Sequence, residues 1–506
     1  MVRVVPNAGA GLAEDAPSTS GKEYLTYFAH RLLEFRRPEL ESLAQTVGCQ
    51  DGQLQWRAPA GDVEHSPFWY LTLPSEEAAV EISKRMILTK MLIEVWAEGE
   101  DWEELKAAFE AFPEDRKSTW LRPDLTFRVV VESFGSSLPM DEQLDIIKRL
   151  EFIPFKGTVR LRDPQVRFVL LRCDCGDHGS LIDATVPPRL YFGRLVGASN
   201  RGVIDDYSLK RRRYLGPTSM DTEMSFVMCN HAGVRRGSLV LDPYAGTGSI
   251  LVAAAHFGAK VMGADIDIKV IREGKVGKGG ERLTIYSNFE QYGLPAPVGL
   301  IRMDAHRHPI RPDLTEILHA IIGDPPYGVR AGGRKSGLPP AEAAQRLLIR
   351  DRDTYIPSTQ PYTLGECLRD LLDLSARLLV VGGRLVYFLP ATPGTYDEGE
   401  IPQHPALKLM ANSEQILTSR YSRRLITMEK VRLYDAATAA AYYAARPDPT
   451  MTIDRLHDIV YDHLPVPSPA LTATATEAAA AAGGADCVDS ATGAVKPRRR
   501  CRGKNF

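Results

Sequence analysis

Short apolar runs that alternate with helical stretches between residues 239 and 389 restrict the fold more than any other feature of this sequence. The apolar runs are Leu239–Leu241, Lys260–Ala264, Gly299–Arg302, Ala320–Ile322 and Arg384–Leu389. Helical patterns separate them, for example over Ser249–Phe257 and Leu364–Leu379. Strands that alternate with helices are typical of βαβ units. The pattern predicts an α/β domain with a doubly wound, mostly parallel sheet, and two further strands near Ser419–Ser422 and Ile426–Val431 would make it seven-stranded.

The residues before this domain have a mixed pattern, which predicts an α+β domain that ends near residue 190. Apolar residues at helical spacing begin at Tyr24 and run to Leu33, and a longer helical stripe covers Glu76–Trp96. The other predicted elements are the strands Phe68–Leu73, Phe127–Glu132 and Arg167–Leu171 and the helix Met140–Leu150.

Composition divides the chain into five segments. Both ends are rich in Gly, Ala, Ser, Thr or Pro, a composition that predicts disorder. The predicted segments are a disordered leader (1–22), an N-terminal α+β region (23–190), a connector (191–215), the α/β domain (216–465) and a disordered tail (466–506).

Net charge and cysteine content say more about the cellular environment and the kinds of ligand than about the reaction. The net charge is −2, so nucleic-acid binding has to be argued from local basic patches. The seven Cys are scattered, which favours free thiols in a reducing compartment. Cys173, Cys175 and His178 lie close together, but no second ligand pair at zinc spacing follows them, so we predict no metal site.

Neither end of the sequence predicts a secretory or membrane protein. No apolar signal region follows Met1, and the chain has no run of about 18 apolar residues. We therefore predict a cytoplasmic protein. The basic cluster Lys496–Lys504 fits a solvated tail, an RNA-binding arm or a nuclear-import signal.

The loop after the fourth apolar run carries the clearest chemical signature. Asp324, Pro325, Pro326 and Tyr327 follow Ala320–Ile322 at a predicted strand end. A carboxylate accepts a hydrogen bond from a planar amine, prolines leave nearby carbonyls free to accept another, and an aromatic ring stacks on a base. The loop favours catalysis on an exocyclic amine, although a proline-rich turn at a strand end also fits it.

A glycine-rich turn follows the first apolar run. Residues Asp242–Ser249 read DPYAGTGS, and Gly246 and Gly248 let the backbone approach a ligand closely. Ligands of open α/β sheets bind at such strand-to-helix crevices. The turn matches neither the G-x-G-x-x-G fingerprint of dinucleotide binding nor a P-loop.

Four consecutive predicted strands end in an acidic residue. The four are Asp242, Asp265, Asp304 and Asp324. Asp265 fits a ribose ligand as well as a helix N-cap, and Asp304 could accept from an adenine amine. An acidic rim suits a ligand with a sulfonium and an ammonium group, so we interpret the pocket as one for S-adenosylmethionine. An amine acceptor at Asp324 would then require a base flipped out of its helix.

Basic residues flank the proposed site. Lys210, Arg211, Arg212 and Arg213 precede the α/β domain. Arg330, Arg334 and Lys335 follow the DPPYG loop. These residues fit contacts with an RNA backbone, and they also fit a solvated linker and loop.

The chain resembles the catalytic subunit of eukaryotic tRNA (guanine-10-N2)-methyltransferases over roughly residues 24–435. The resemblance rests on the C-terminal stretches Arg213–Asp221, Asp242–Ser249, Asn288–Leu294, Asp324–Arg330, His404–Pro405, Ala411–Gln415 and Ser422–Lys430, and on the N-terminal stretches Phe28–Leu33 and Leu73–Ala79. One departure is Tyr244–Ala245, where the family more often has Phe and Val.

The resemblance implies a fold, a reaction and a partner. It implies an N-terminal THUMP-like tRNA-binding domain and a C-terminal Rossmann-like class I methyltransferase. It implies methylation of guanosine 10 in tRNA with S-adenosylmethionine, and a heterodimer with a small zinc-binding activator subunit. The third strand, about Val298–Arg302, usually lies at the sheet edge in this fold, so it offers a place for that partner.

Two other functions stay open on the residues alone. A DNA adenine-N6 methyltransferase, or another amino-methyltransferase, would use a similar DPPY loop, but a DNA enzyme would carry a DNA target-recognition domain. An inactive RNA-binding scaffold would tolerate loss of the acidic rim, yet all four carboxylates are present.

Overall fold

A computed structural model gives the structure of residues 21–50, 52–59, 66–173, 189–326, 333–337, 359–393 and 396–445. All of these residues fall within one compact unit, Met1–Asp462. The predicted leader up to residue 20 and the predicted tail lie outside the described residues. Within the described ranges, no helix is long and apolar enough to cross a membrane.

The N-terminal half forms an eight-stranded, mostly antiparallel sheet with helices packed against it. The strands are β1 (Lys22–Phe28), β2 (Gln55–Arg57), β3 (Phe68–Leu73), β4 (Thr89–Gly99), β5 (Thr126–Phe134), β6 (Thr158–Val159), β7 (Val166–Cys173) and β8 (Arg189–Ala198). The helices are α1 (Arg36–Thr46), α2 (Glu76–Ser83), α3 (Trp102–Ala111), α4 (Glu114–Ser118), α5 (Met140–Lys148) and α6 (Gly202–Asp206). The strand order is β2-β3-β1-β4-β8-β7-β5-β6, so this half is α+β as predicted.

The helix predicted from Tyr24 is wrong, because these residues form β1 between β3 and β4. Tyr24 and Phe28 face one apolar cluster, and Leu25 and Tyr27 face another. Both sides of β1 are therefore buried. In a strand buried on both faces the period-2 alternation disappears, and a residue pair four apart then fits a helix equally well.

The long helix predicted over Glu76–Trp96 is also wrong in its second half. The helix α2 ends at Ser83, and β4 starts at Thr89 between β1 and β8. Leu92 and Trp96 pack into two separate clusters. A central strand is continuously apolar, so its sequence pattern does not separate it from a buried helix.

The C-terminal half forms a seven-stranded sheet. Its strands are β9 (Leu239–Asp242), β10 (Lys260–Asp265), β13 (Gly299–Arg302), β14 (Leu318–Gly323), β17 (Leu379–Ala391), β18 (Leu407–Ile416) and β19 (Ser422–Lys430). Two small antiparallel strand pairs are β11 (Lys275–Val276) with β12 (Arg282–Leu283), and β15 (Arg334–Ser336) with β16 (Thr359–Pro361). The helices are α7 (Thr222–His231), α8 (Ser249–His256), α9 (Ile285–Gln291), α10 (Leu364–Leu378) and α11 (Ala436–Ala444).

The order β13-β10-β9-β14-β17-β19-β18 confirms a mostly parallel sheet, in which β19 is antiparallel to its neighbours β17 and β18. The five predicted core strands are present. The strand predicted near Ser419–Ser422 is wrong, because the extra strand is Leu407–Ile416 and Ser419 lies in the turn after it. This edge strand carries polar residues such as Asn412 and Glu414, which conceal it in the sequence.

Helices cover both faces of this sheet, as a doubly wound fold requires. Val240, Ile322 and Phe388 pack with residues of α7, α8 and α9. The alternate residues Leu241 and Ile321 pack with α10 on the opposite face. Successive strand residues point to opposite faces, so the central strands β9, β14 and β17 are buried on both sides.

Buried polar side chains join the two halves. Glu39 on α1 is fully buried and accepts hydrogen bonds from Asn230 Nδ2 (2.8 Å), Ile87 N (3.0 Å) and Leu88 N (2.8 Å). Asn230 on α7 also accepts from Arg85 Nη2 (3.0 Å). Because these buried hydrogen bonds require specific donors and acceptors from both halves, they favour one arrangement of the two halves.

Candidate active site

Four carboxylates collect at one edge of the C-terminal sheet. Asp242 ends β9 and Asp265 ends β10, while Asp304 and Asp324 follow the ends of β13 and β14. These four strands are adjacent and parallel, so their carboxyl ends share an edge. The structure thus brings together the four acidic residues selected from the sequence.

The glycine-rich turn lies against this acidic edge. Gly246 has φ 49° and Gly248 has φ 82°, both in the left-handed region. Gly246 N donates to Asp265 Oδ2 at 3.0 Å. A Cβ atom on Gly248 would lie 2.9 Å from Ile285 Cγ2, so the turn packs closely on the start of α9.

The turn is supported by polar residues that sequence reasoning did not select. Ser219 Oγ and Thr247 Oγ1 are 2.7 Å apart. Asn288 Nδ2 donates to Thr247 O at 3.2 Å and to Tyr214 O at 2.9 Å. Ser219 and Asn288 belong to stretches that carried the family resemblance, and that was their only signal in the sequence.

Burial changes the acidity of the carboxyls nearest the turn. Asp242 is 1% exposed, and burial raises the pKa of its carboxyl well above the usual value. The neighbouring Asp265 and Asp324 raise this pKa further. Burial also raises the pKa of Asp265. A cationic ligand beside this cluster would relieve the repulsion, so the donor set fits a sulfonium compound.

The carboxylate of Asp304 accepts hydrogen bonds from two backbone N–H groups. Its Oδ1 accepts from His306 N at 2.9 Å, and its Oδ2 accepts from Ser336 N at 2.6 Å. Ser336 belongs to β15, in the chain segment that follows the DPPYG loop. Asp304 therefore joins the third strand end to that strand pair, and a ligand at Asp304 would have to use its remaining lone pairs.

Asp324 has one oxygen without a partner. Its Oδ2 lies 3.8 Å from Arg423 Nη1, whereas its Oδ1 is buried and accepts no hydrogen bond within the described part of the chain. Burial raises the pKa of Asp324 to about 6, although Arg423 lowers it. Pro325 and Pro326 follow at this edge, and Tyr327 lies outside the described residues. A buried acceptor without a partner at a strand end is suited to a ligand that donates.

The hydroxyl of Tyr244, where the family more often has Phe, has a partner on α10. Its hydroxyl lies 3.2 Å from Cys367 Sγ on α10. Its ring lies near the backbone just before Asp324, since a Cβ on Gly323 would be 3.1 Å from Tyr244 Cδ2. The extra hydroxyl relative to Phe is thus satisfied within the protein.

The predicted RNA-binding cations differ in their exposure. Lys210, Arg211, Arg213 and Arg334 are exposed. Arg330 lies outside the described residues.

Two of the seven predicted cations require correction. Arg212 is buried and donates to Ser249 Oγ at 2.6 Å, so it supports the start of α8. Lys335 is buried with its ammonium 2.7 Å from Glu366 Oε1. Both side chains are directed inward, because each has a polar partner in the protein, and neither faces solvent as an RNA contact would require.

No metal cluster is evident where the structure describes the chain. Those residues contain no group of three or more His, Cys, Asp or Glu side chains that could hold an ion. Cys175 and His178, which were considered as metal ligands on the basis of the sequence, lie outside the described residues.

Two family models match the chain. Residues 22–201 match the Tmrp11 THUMP N-terminal domain. Residues 210–338 match the RMKL-like, methyltransferase domain. The first match covers the N-terminal half of the structure, and the second covers the first part of the C-terminal half, including the DPPYG loop and the glycine-rich turn.

Curated relatives match over most of their length. The tRNA (guanine(10)-N(2))-methyltransferase TRMT11 of Rattus norvegicus is 37% identical over 423 residues, which is 81% of this chain and 88% of the relative. The protein of the same name from Mus musculus is 38% identical over 81% of this chain and 89% of its own length. The one from Dictyostelium discoideum is 36% identical over 82% and 83%, respectively.

Proposed function

The chain belongs to the family of tRNA (guanine(10)-N(2))-methyltransferases named TRMT11, and we propose that it transfers a methyl group from S-adenosylmethionine to N2 of guanosine 10 in tRNA. The observation that carries the catalytic part is the buried Oδ1 of Asp324, which has no hydrogen-bond partner among the described residues. An exocyclic amine donates the hydrogen bond that this oxygen lacks.

We propose that Asp324, Pro325, Pro326 and Tyr327 hold the guanine. Asp324 Oδ1 accepts from one N–H of the amine, and a carbonyl of Pro325 or Pro326 accepts from the other. These two contacts direct the nitrogen lone pair at the methyl group, and Tyr327 stacks on the ring. Positioning of this kind contributes several kcal/mol to catalysis, and no strong general base is needed because the amine becomes acidic only after methylation.

We propose that Asp242, Gly246, Gly248, Asp265 and Asp304 hold S-adenosylmethionine. When bound, this cosubstrate supplies an electrophilic methyl group on a sulfonium ion. In this proposal Gly246 and Gly248 let the ligand approach the backbone closely, Asp265 would accept from the ribose hydroxyls, and Asp304 would accept from the adenine amine. The raised pKa values of Asp242 and Asp265 support a cationic occupant.

The donor pocket is tested by Gly248→Ala. The substitution forces a side chain into φ 82° and a Cβ to within 2.9 Å of Ile285 Cγ2, so we expect at least about tenfold weaker binding of S-adenosylmethionine by calorimetry. Gly258→Ala is the matched control, because Gly258 has a similar φ of 79° at the end of α8 but is not in the turn. Equal loss of affinity in both variants would contradict the assignment of Gly248.

The N-terminal region and the exposed cations are proposed to bind tRNA. We keep the predicted division into 23–190, the connector 191–215 and the methyltransferase domain 216–465, although β8 of the first sheet runs to Ala198. Lys210, Arg211, Arg213 and Arg334 are exposed and support contacts with phosphates, and Arg330 is retained from the sequence. Affinity for tRNA should then fall steeply with salt.

A small zinc-binding activator subunit is proposed to cover the edge strand β13. Val298 just before this strand is 61% exposed and Ile301 within it is 40% exposed. β13 is the terminal strand of the sheet, so its outer side offers a partner both backbone hydrogen bonds and apolar contacts.

The substitution Ile301→Lys tests this docking edge. We expect it to abolish co-purification with the co-expressed activator, because a buried ammonium would lie at the interface. Ile416→Lys, on the opposite edge strand β18 and 68% exposed, is the control and should retain the partner. Loss of the partner from both variants, or from neither, would refute docking at β13.

The reaction itself is tested with undermodified tRNA and labelled S-adenosylmethionine, with and without the activator. Nucleoside analysis should place the label on N2 of guanosine 10. Label in adenine N6 of a DNA substrate would instead favour a DNA methyltransferase, and tRNA binding without any label would favour a scaffold. We also propose a cytoplasmic location, to which the basic tail could add nuclear access; imaging with and without residues 466–506 tests this.

A further inference from the structure

Arg423 reaches the reaction edge from the antiparallel strand β19. Its Nε donates to Gln415 Oε1 at 2.8 Å, and its guanidinium lies 3.8 Å from the centre of the Phe388 ring. Its Nη2 lies 3.8 Å from Met220 Sδ. These contacts hold the guanidinium on three sides, so its position does not depend on Asp324.

The remaining nitrogen of Arg423 faces one oxygen of Asp324. The distance from Nη1 to Oδ2 is 3.8 Å, and Oδ1 on the other side has no partner in the part of the chain that the structure describes. The two oxygens of a free carboxylate are equivalent, and rotation about χ2 would exchange them. That exchange leaves the site unchanged, but a fixed cation beside one oxygen favours a single orientation of the carboxylate plane, which sets the direction of the other oxygen.

We propose that Arg423 is a positioning residue for methyl transfer: it orients the Asp324 carboxylate so that Oδ1 faces the amine of the acceptor base. This inference rests on the proposed role of Asp324. Arg423 itself does not touch the reacting atoms. It acts by keeping Asp324 in the one orientation, and in the ionised form, that accepts from the amine.

The charges around Asp324 make Arg423 the group that keeps it ionised. Burial raises the pKa of Asp324 and Arg423 lowers it, with a resulting value of about 6. On the neighbouring strand β9, the Asp324 carboxylate in turn raises the pKa of Asp242. Asp221 and Tyr421 face Arg423 rather than Asp324. Among the described residues Arg423 is the cation that lowers the pKa of Asp324, so without it protonation of Asp324 would extend to higher pH.

The pair of variants Arg423→Met and Arg423→Lys separates charge from packing. In wild type, kcat should decline below about pH 6 as Asp324 takes up a proton. In Arg423→Met we expect kcat at neutral pH to fall at least about tenfold and this acidic limb to move up by about one pH unit or more. In Arg423→Lys, which keeps the charge, the limb should stay near its wild-type position. The KM for S-adenosylmethionine should change little in either variant.

Arg420→Gln is the matched control, since Arg420 is an exposed arginine on the same hairpin. It should leave the acidic limb in place. The proposal is overturned if folded Arg423→Met, verified by its melting temperature and its affinity for S-adenosylmethionine, keeps the wild-type limb. It is also overturned if Arg420→Gln moves the limb as far. If wild type itself does not methylate tRNA, the proposed function fails, and that result is distinct from either outcome.

Discussion

Asp324→Asn is expected to lower kcat for tRNA methylation by about 10²–10³-fold, while S-adenosylmethionine and tRNA still bind. The substitution keeps the size of the side chain but replaces a charged acceptor with a neutral amide. The buried Oδ1 then either accepts more weakly or is exchanged for an NH2 group that repels the amine of the base. Single-turnover rates at saturating substrates measure the effect, and Asp324→Ala should lose at least as much.

Stability gives this variant an internal control. Burial raises the pKa of Asp324 to about 6, so at neutral pH the ionised carboxylate disfavours the folded state. Removing the charge should therefore leave the free energy of unfolding unchanged or raise it. The exposed Asp397→Asn should affect neither rate nor stability. Full activity of Asp324→Asn would refute its catalytic role, and unfolding of the variant would contradict the electrostatic account.

Glu39→Ala is expected to destabilise the protein by about 3–5 kcal/mol. Glu39 accepts hydrogen bonds from Ile87 N, Leu88 N and Asn230 Nδ2, and all three donors are left without their acceptor in the variant. Chemical denaturation measures the loss. Glu81→Ala is the control, because Glu81 forms an exposed pair with Lys84, and such pairs contribute less than about 1 kcal/mol.

The pH dependence of stability identifies the same carboxyl. Burial raises the pKa of Glu39 to about 7, from a usual value of 4.5. The folded state therefore binds a proton that the unfolded state has lost between these two values, and stability falls as pH rises through this window. In Glu39→Ala this part of the pH dependence should disappear. An unchanged slope between pH 5 and 7 would show that another group is responsible.

The sequence predicted the strand ends that carry the four carboxylates better than it predicted the elements of the N-terminal half. Asp242 and Asp324 could be identified from the sequence because each comes at or just after the end of an apolar run that forms a strand. Parallel strands place their carboxyl ends at one edge of the sheet. The residues of β1 were misassigned because both of its faces are buried, which removes the alternation that distinguishes a strand.

Residues that act from a distant element were not predictable. Arg423 on β19 approaches Asp324 after β14 because both strands pair with β17, one on each side. The local sequence around either residue does not show this strand order. Arg212 and Lys335 were assigned to RNA for the same reason. A basic cluster shows its charge in the sequence, but its burial is set by partners such as Ser249 and Glu366.

The junction built on Glu39, Asn230 and Arg85 has a consequence for protein engineering. Each of these side chains forms at least one hydrogen bond with a group from the other half, so either half alone would leave buried polar atoms without those partners. A chimera that takes residues 22–201 from one relative and the rest from another would keep this interface only if the two parents supply matching hydrogen-bond donors and acceptors. The two halves therefore have to come from parents whose interface residues match, and they cannot be exchanged independently of each other.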